Sequence, residues 1–248
     1  MARSRKRRKY VNILPSLLTI GNMYCGLLSI VYTINGDFRL ASWMILLALL
    51  FDGSDGHVAR LTKSTSNFGK ELDSLADVVS FGVAPALLVY RCVLFDFRRI
   101  GIAIVTVYAI TGALRLARYN VQSSGTVKSF SGLPIPGAGC LIAAFILLKQ
   151  QYDHPVYYKY MAVFVVLLAF LMVSTIAYPK QQLFRVRRNR AFQYTFILIL
   201  LTSMVMLSRT LFIFIFFLAY VTIGPLNYLT KNRIFQVQTP SEQEEVII

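Results

Sequence analysis

Long apolar runs recur from one end of this chain to the other, and they leave little choice of architecture. The coarse spans are 12–34, 41–62, 72–95, 100–121, 135–150, 158–178, 191–207 and 210–228. Each is close to the roughly 20 residues a helix needs to cross a hydrocarbon core of ~30 Å. Inside a bilayer every backbone N–H and C=O must be satisfied within the protein, so runs of this length read as helices. The spacing therefore predicts an all-α, polytopic membrane protein with about eight transmembrane helices in one bundle. Residues 1–11 form a basic N-terminal segment, 12–230 the membrane domain and 231–248 a polar C-terminal tail. The loops are too short to hold a separate soluble domain. Hydrophobic residues make up 56% of the 248 and charged residues only 15%, which excludes a disordered chain. Three scattered cysteines, Cys25, Cys92 and Cys140, exclude a disulfide scaffold and read as packing residues.

The formal charge of +15 would ordinarily raise nucleic acid as a partner. Read by position it is a topology signal. With eight spans both termini lie on one side, which collects 19 of the 26 Lys and Arg residues. These are six at 3–9, Arg60, Lys63, Lys70, Arg115, Arg118, Lys128, five at 180–190, Lys231 and Arg233. The other seven, including the cluster Arg91, Arg98 and Arg99, fall opposite. By the positive-inside rule the termini and the 60–70 turn are cytoplasmic in an integral cell-membrane protein. No nucleic-acid partner is expected. The basic start resembles the front of a signal peptide, but the apolar run behind it is too long and lacks a small-residue cleavage site, so it reads as a retained first helix.

Chemistry concentrates at 51–86, FDGSDGHVARLTKSTSNFGKELDSLADVVSFGVAPA, which holds four of the seven aspartates. One carboxylate within a transmembrane helix costs roughly 2.5–3.5 kcal/mol on insertion scales, so four left unpaired would cost on the order of 10 kcal/mol. Arg60, Lys63 and Lys70 are only partial partners. Divalent cations would neutralise the group, and oxygen-only ligands favour Mg²⁺ or Mn²⁺ over Zn²⁺. Asp52, Asp55, Gly56, Ala59 and Arg60 share one helix face, and Gly69, Asp73 and Asp77 share another. A short polar turn at 62–68 joins the two, predicting an antiparallel pair with facing carboxylates at the cytoplasmic boundary. Gly56 and Ala59 leave a slot for a flat ligand, and Arg60 can clamp a phosphate. Together these features suggest phosphoryl chemistry on a nucleotide. Two other readings stand beside it: small-xxx-small spacing as helix packing, and the aspartates as the ion or proton site of a transporter. A transporter also predicts inverted repeats and broken helices, and neither is visible in the sequence.

At these residues the chain resembles the CDP-alcohol phosphotransferase family, whose signature is D-x2-D-G-x2-A-R-x8-G-x3-D-x3-D. Asp52, Asp55, Gly56, Ala59, Arg60, Gly69, Asp73 and Asp77 match it at every spacing over 26 residues. LPSLLTIGNMYCGLLSI (14–30), LADVVSFGVAP (75–85), ALRLARYNV (113–121) and SGLPIPGAG (131–139) are similar to the serine-accepting branch of that family. Ser16 stands where many relatives carry Asn. The resemblance implies that Asp52, Asp55 and Asp73 bind metal, that Asp77 touches metal and acts as general base, and that Gly56, Ala59, Arg60 and Gly69 line the CDP pocket. It further implies two Mg²⁺ or Mn²⁺ ions, a homodimer, and transfer of a phosphatidyl group from CDP-diacylglycerol, or its ether-lipid analogue, to L-serine, releasing CMP. A sister enzyme using glycerol 3-phosphate or inositol phosphate is the nearest rival.

On the acceptor side, Arg115, Arg118, Asn120 and Lys128 gather at the cytoplasmic end of one span. An arginine there can hold a carboxylate bidentately, and anchoring to membrane-lipid headgroups explains the same cations. Gly132, Pro134, Pro136, Gly137 and Gly139 mark a shaped entry into the next helix; they fit either pocket shaping or ordinary helix punctuation.

Overall fold

The first helix shows what kind of medium the fold is built for. Thr19, Asn22, Ser29 and Thr33 are buried along one face, while Leu17, Ile20, Tyr24, Leu27, Val31 and Ile34 are exposed on the other. Polar groups inside and a continuous apolar stripe outside invert the pattern of a helix in water and suit a helix whose solvent is lipid. Buried hydroxyls are hidden by bonding one turn back: Thr33 donates to the Ser29 carbonyl at 2.8 Å, and Ser42 does the same to the Phe38 carbonyl at 2.8 Å.

The computed structural model describes residues 2–61, 67–123, 132–152, 156–174, 176 and 209–229. Its helices are α1 (Ala2–Ile34), α2 (Phe38–Leu61), α3 (Asn67–Asp77), α4 (Ala84–Val89), α5 (Arg98–Ser123), α6 (Ile135–Gln151), α7 (Val156–Val173) and α8 (Arg209–Leu229). π-helical turns at Val78–Val83 and Tyr90–Leu94 flank α4, and a 3₁₀ turn at Phe95–Phe97 precedes α5. No strand occurs among the described residues. Seven of the expected spans coincide with helical stretches, and the run 191–207 lies outside the described residues. Helix α1 runs back through the basic start, so residue 11 is not an element boundary.

Among the described residues, three helical stretches are long and apolar enough to cross a membrane: Pro15–Ile34, Phe68–Val121 and Arg209–Leu226. Ile135–Gln151 and Tyr160–Val173 are apolar but shorter. The 54 residues of Phe68–Val121 would span roughly 80 Å if straight, well beyond one hydrocarbon core. The stretch instead folds back after Phe97, where Arg98 takes a positive φ of 47°. Its antiparallel register is fixed at two levels: Asn120 donates to Ser74 Oγ at 3.0 Å, and Tyr108 donates to the Phe81 carbonyl at 2.9 Å.

Helix α6 is apolar all round and buried along almost its full length, as expected of the central helix of a bundle. It packs against α2, α8 and the first π turn. The SGLPIPGAG segment reaches it through Gly132, whose φ of +90° suits glycine and whose N–H meets the Ile176 carbonyl at 2.9 Å. Gly137 and Gly139 serve close approach rather than helix entry. A Cβ at 139 would sit 2.8 Å from the Phe81 carbonyl oxygen.

Helices α2 and α3 bring their carboxylates face to face, as the spacing predicts. Each packs chiefly against α1, which lies extensively along α2 and also contacts α3.

Candidate active site

Asp52 and Asp55 leave α2 three residues apart, so both project to one side of the helix. Asp73 and Asp77 leave α3 on a common face. Across the gap, one carboxylate oxygen from each of Asp52, Asp55 and Asp73 lies within 4.8 Å of the other two. Asp55 and Asp77 are 5% and 7% exposed, and Asp73 Oδ1 is buried with no hydrogen-bond partner. Three converging carboxylates, one of which also carries an orphaned buried oxygen, fit a hard divalent cation and leave a costly charge cluster without one.

Helix α1 supports the carboxylates. Thr19 Oγ1 lies 2.8 Å from Asp55 Oδ2, and Asn22 Nδ2 donates to Asp77 Oδ1 at 3.1 Å. Ser80 then donates to the Asn22 carbonyl at 2.9 Å, binding the π turn that follows Asp77 to the same helix. Gly26 faces Ser80 so closely that any Cβ would strike its Oγ. Thr19 and Asn22 were not singled out by the aspartate spacing. Their signal lay in a polar row at helical period, Thr19, Asn22, Gly26, Ser29 and Thr33, running through an apolar span.

The remaining sequence-derived residues fall as follows. Gly56 is exposed beside the carboxylates, and a Cβ there would meet nothing within 4 Å. Gly69 is half-buried on α3, facing the same way as Asp73 by its spacing. Ala59 and Arg60 belong to the last turn of α2, but their side chains lie outside the described residues. Lys70 is exposed, and Lys63 and Lys128 lie outside the described residues.

On α5, Arg115 is half-buried, and its Nε is buried without a partner among the described residues. Arg118 is exposed, and its Nη1 donates to the Val173 carbonyl at 3.3 Å, at the end of α7. Asn120 bonds to Ser74, tying α5 to α3 one residue from Asp73. The arrangement can hold divalent cations between α2 and α3, admit a flat ligand at Gly56, and receive an anion at Arg115.

Comparison with known proteins agrees with this chemistry. The family model for CDP-alcohol phosphatidyltransferase matches residues 12–177, which include all four aspartates. A CDP-diacylglycerol–serine O-phosphatidyltransferase of Helicobacter pylori is 44% identical over 170 residues, covering 67% of this chain and 72% of the relative. An archaetidylserine synthase of Methanothermobacter thermautotrophicus is also 44% identical over 170 residues, covering 67% and 70%. A CDP-diacylglycerol–serine O-phosphatidyltransferase of Methanocaldococcus jannaschii is 35% identical over 223 residues, covering 90% and 96%. With lipid-facing helices, a buried polar row along α1 and an aspartate cluster that fits metal, the chain belongs to the CDP-alcohol phosphatidyltransferase family, integral membrane enzymes that depend on divalent metal.

Proposed function

We propose that this protein transfers a phosphatidyl group, or its ether-lipid counterpart, from a CDP-activated lipid to the hydroxyl of L-serine, releasing CMP. The observation that carries the reading is the convergence of Asp52, Asp55 and Asp73 with Asp77 held one turn further along α3. The names of the relatives support serine as acceptor. Two Mg²⁺ or Mn²⁺ ions bound to the aspartates would supply charge neutralisation at the pyrophosphate and at the departing CMP oxygen.

The chain's own residues divide the remaining work. Gly56 and Gly69, with Ala59 and Arg60, line the cytidine-diphosphate pocket; the open space at Gly56 supports a ligand slot over a packing contact. Asp77 is the general base. The Asn22 amide occupies one carboxylate oxygen and orients the other toward the acceptor hydroxyl. As the serine oxygen attacks the lipid-bearing phosphorus, the bond from that phosphorus to the CMP oxygen breaks and the hydroxyl proton passes to Asp77. The acceptor enters at the end of α5 that carries Arg115, Arg118 and Asn120, with Lys128 in the segment beyond. The distribution of Lys and Arg supports cytoplasmic termini and a cytoplasmic site in an eight-helix membrane domain over 12–230. The family resemblance supports a homodimer.

Purified enzyme given CDP-diacylglycerol and Mn²⁺ or Mg²⁺ should release CMP when serine is added, and not with glycerol 3-phosphate or inositol phosphate. Chelation by EDTA should stop the release and added metal restore it. Asp77→Asn should nearly abolish turnover while leaving CDP-lipid binding measurable; near-normal turnover would remove Asp77 from the role of base. Release driven by another alcohol in place of serine would reassign the acceptor.

A further inference from the structure

Ser80 lies three residues beyond Asp77, and both side chains turn toward the same neighbour, α1. There they meet one residue. The Asn22 amide donates to Asp77 Oδ1 at 3.1 Å, and the Ser80 hydroxyl donates to the Asn22 carbonyl at 2.9 Å. The three residues close a ring in which Ser80 fixes Asn22 by its backbone and Asn22 presents its side chain to Asp77. Asn22 and Ser80 are fully buried and Asp77 nearly so, which leaves water little chance to replace either bond. Two contacts fix Ser80 in turn. A Cβ at Gly26, one turn beyond Asn22, would fall 2.8 Å from the Ser80 Cα, so glycine lets α1 come this close. On the other side, Tyr108 donates to the carbonyl of the adjacent Phe81 at 2.9 Å.

We infer that Ser80 is a positioning residue for the reaction: through Asn22 it sets the direction of the Asp77 carboxylate that receives the acceptor's proton. The inference rests on the role of Asp77 given above, and Ser80 itself touches no substrate. A general base must keep its free oxygen within hydrogen-bond reach of the proton it removes, and a small misplacement lowers the rate of the chemical step. The π turn that begins at Val78 has poor backbone geometry with which to hold that direction. The bond from Ser80 to α1 supplies the constraint from outside the helix.

A double-mutant cycle separates positioning from simple tying of two helices. Wild type, Ser80→Ala, Ser80→Cys, Asn22→Ala and the double variant Asn22→Ala with Ser80→Ala are assayed for CMP release with L-serine and Mn²⁺. In Ser80→Ala kcat should fall roughly threefold to tenfold, and about as far in Ser80→Cys, which fills the space but donates weakly. Asn22→Ala should lose more, and adding Ser80→Ala to it should cost less than about a further twofold, because Ser80 acts through Asn22. KM for the CDP-lipid should stay within about twofold of wild type throughout. Losses that multiply in the double variant overturn the assignment. So does a lowered unfolding temperature with unchanged kcat in Ser80→Ala and Ser80→Cys, which would make Ser80 a helix tie alone. Near-normal turnover in Asp77→Asn would instead overturn the reading of the base; with Asp77→Asn inactive, the cycle judges Ser80 by itself.

Discussion

At the scale of single residues, the site depends on short neutral side chains as much as on its four carboxylates. Thr19 and Asn22 bond to Asp55 and Asp77 and bring no charge of their own, so the cluster stays anionic and fit for cations. Gly56 poses the sharpest question. An alanine there meets nothing within 4 Å, and alanine is the better helix former by about 1 kcal/mol. Gly56→Ala should therefore leave thermal stability in detergent equal or slightly higher, yet raise KM for the CDP-lipid several-fold. Unchanged KM would return Gly56 to ordinary helix surface. The aspartates were legible in the sequence because charge is rare in a transmembrane helix and their i, i+3 and i+4 spacing needs no tertiary knowledge. Tyr220 was not legible. In an apolar run rich in aromatics nothing local separates a tyrosine packed on a glycine of a neighbouring helix, as Tyr220 is on Gly137, from one aimed at lipid.

At the scale of elements, the π turn after Asp77 sets how the lower half of that helix faces its neighbours. A π turn is intrinsically poor in backbone hydrogen-bond geometry and persists only where outside contacts hold it. Here Ser80 donates to α1, Tyr108 donates to the Phe81 carbonyl from α5, and Gly139 lets α6 approach the Phe81 backbone. Tyr108→Phe keeps the ring and strands a buried carbonyl, so it should cost about 1–3 kcal/mol. A lower unfolding temperature of the purified protein would report it, and an unchanged one would show that the turn holds without this bond. Gly139→Ala should be worse, because its Cβ would meet backbone atoms that cannot rotate away, and the displaced turn adjoins Asp77. Helix positions followed from the length of the apolar runs. The π turns did not, since VVSFGV carries no pattern that distinguishes it from continuing α-helix, whereas the charged DFRR already separated the spans 72–95 and 100–121.

At the scale of the whole molecule, the exposed stripe of α1 decides the solvent. Leu27 is exposed on that stripe, so Leu27→Arg would place a charge in hydrocarbon at a cost of roughly 2.5–3.5 kcal/mol on insertion scales. The yield of membrane-extracted, monodisperse protein should drop sharply, whereas Leu27→Ala should be tolerated. An arginine variant that extracts like wild type would place this face against water. Read alone, the sequence determined the medium, the helical class and the faces that carry the aspartates. Those properties are set by run length, hydropathy and period, and each is local along the chain. Only the tertiary structure decided that α1 packs along both α2 and α3, and that Arg118 turns to α7 while Arg115 buries its Nε. Such pairings depend on which helices become neighbours, and helices surrounded by lipid choose neighbours by close steric fit and buried polar contacts, which a one-dimensional pattern does not encode.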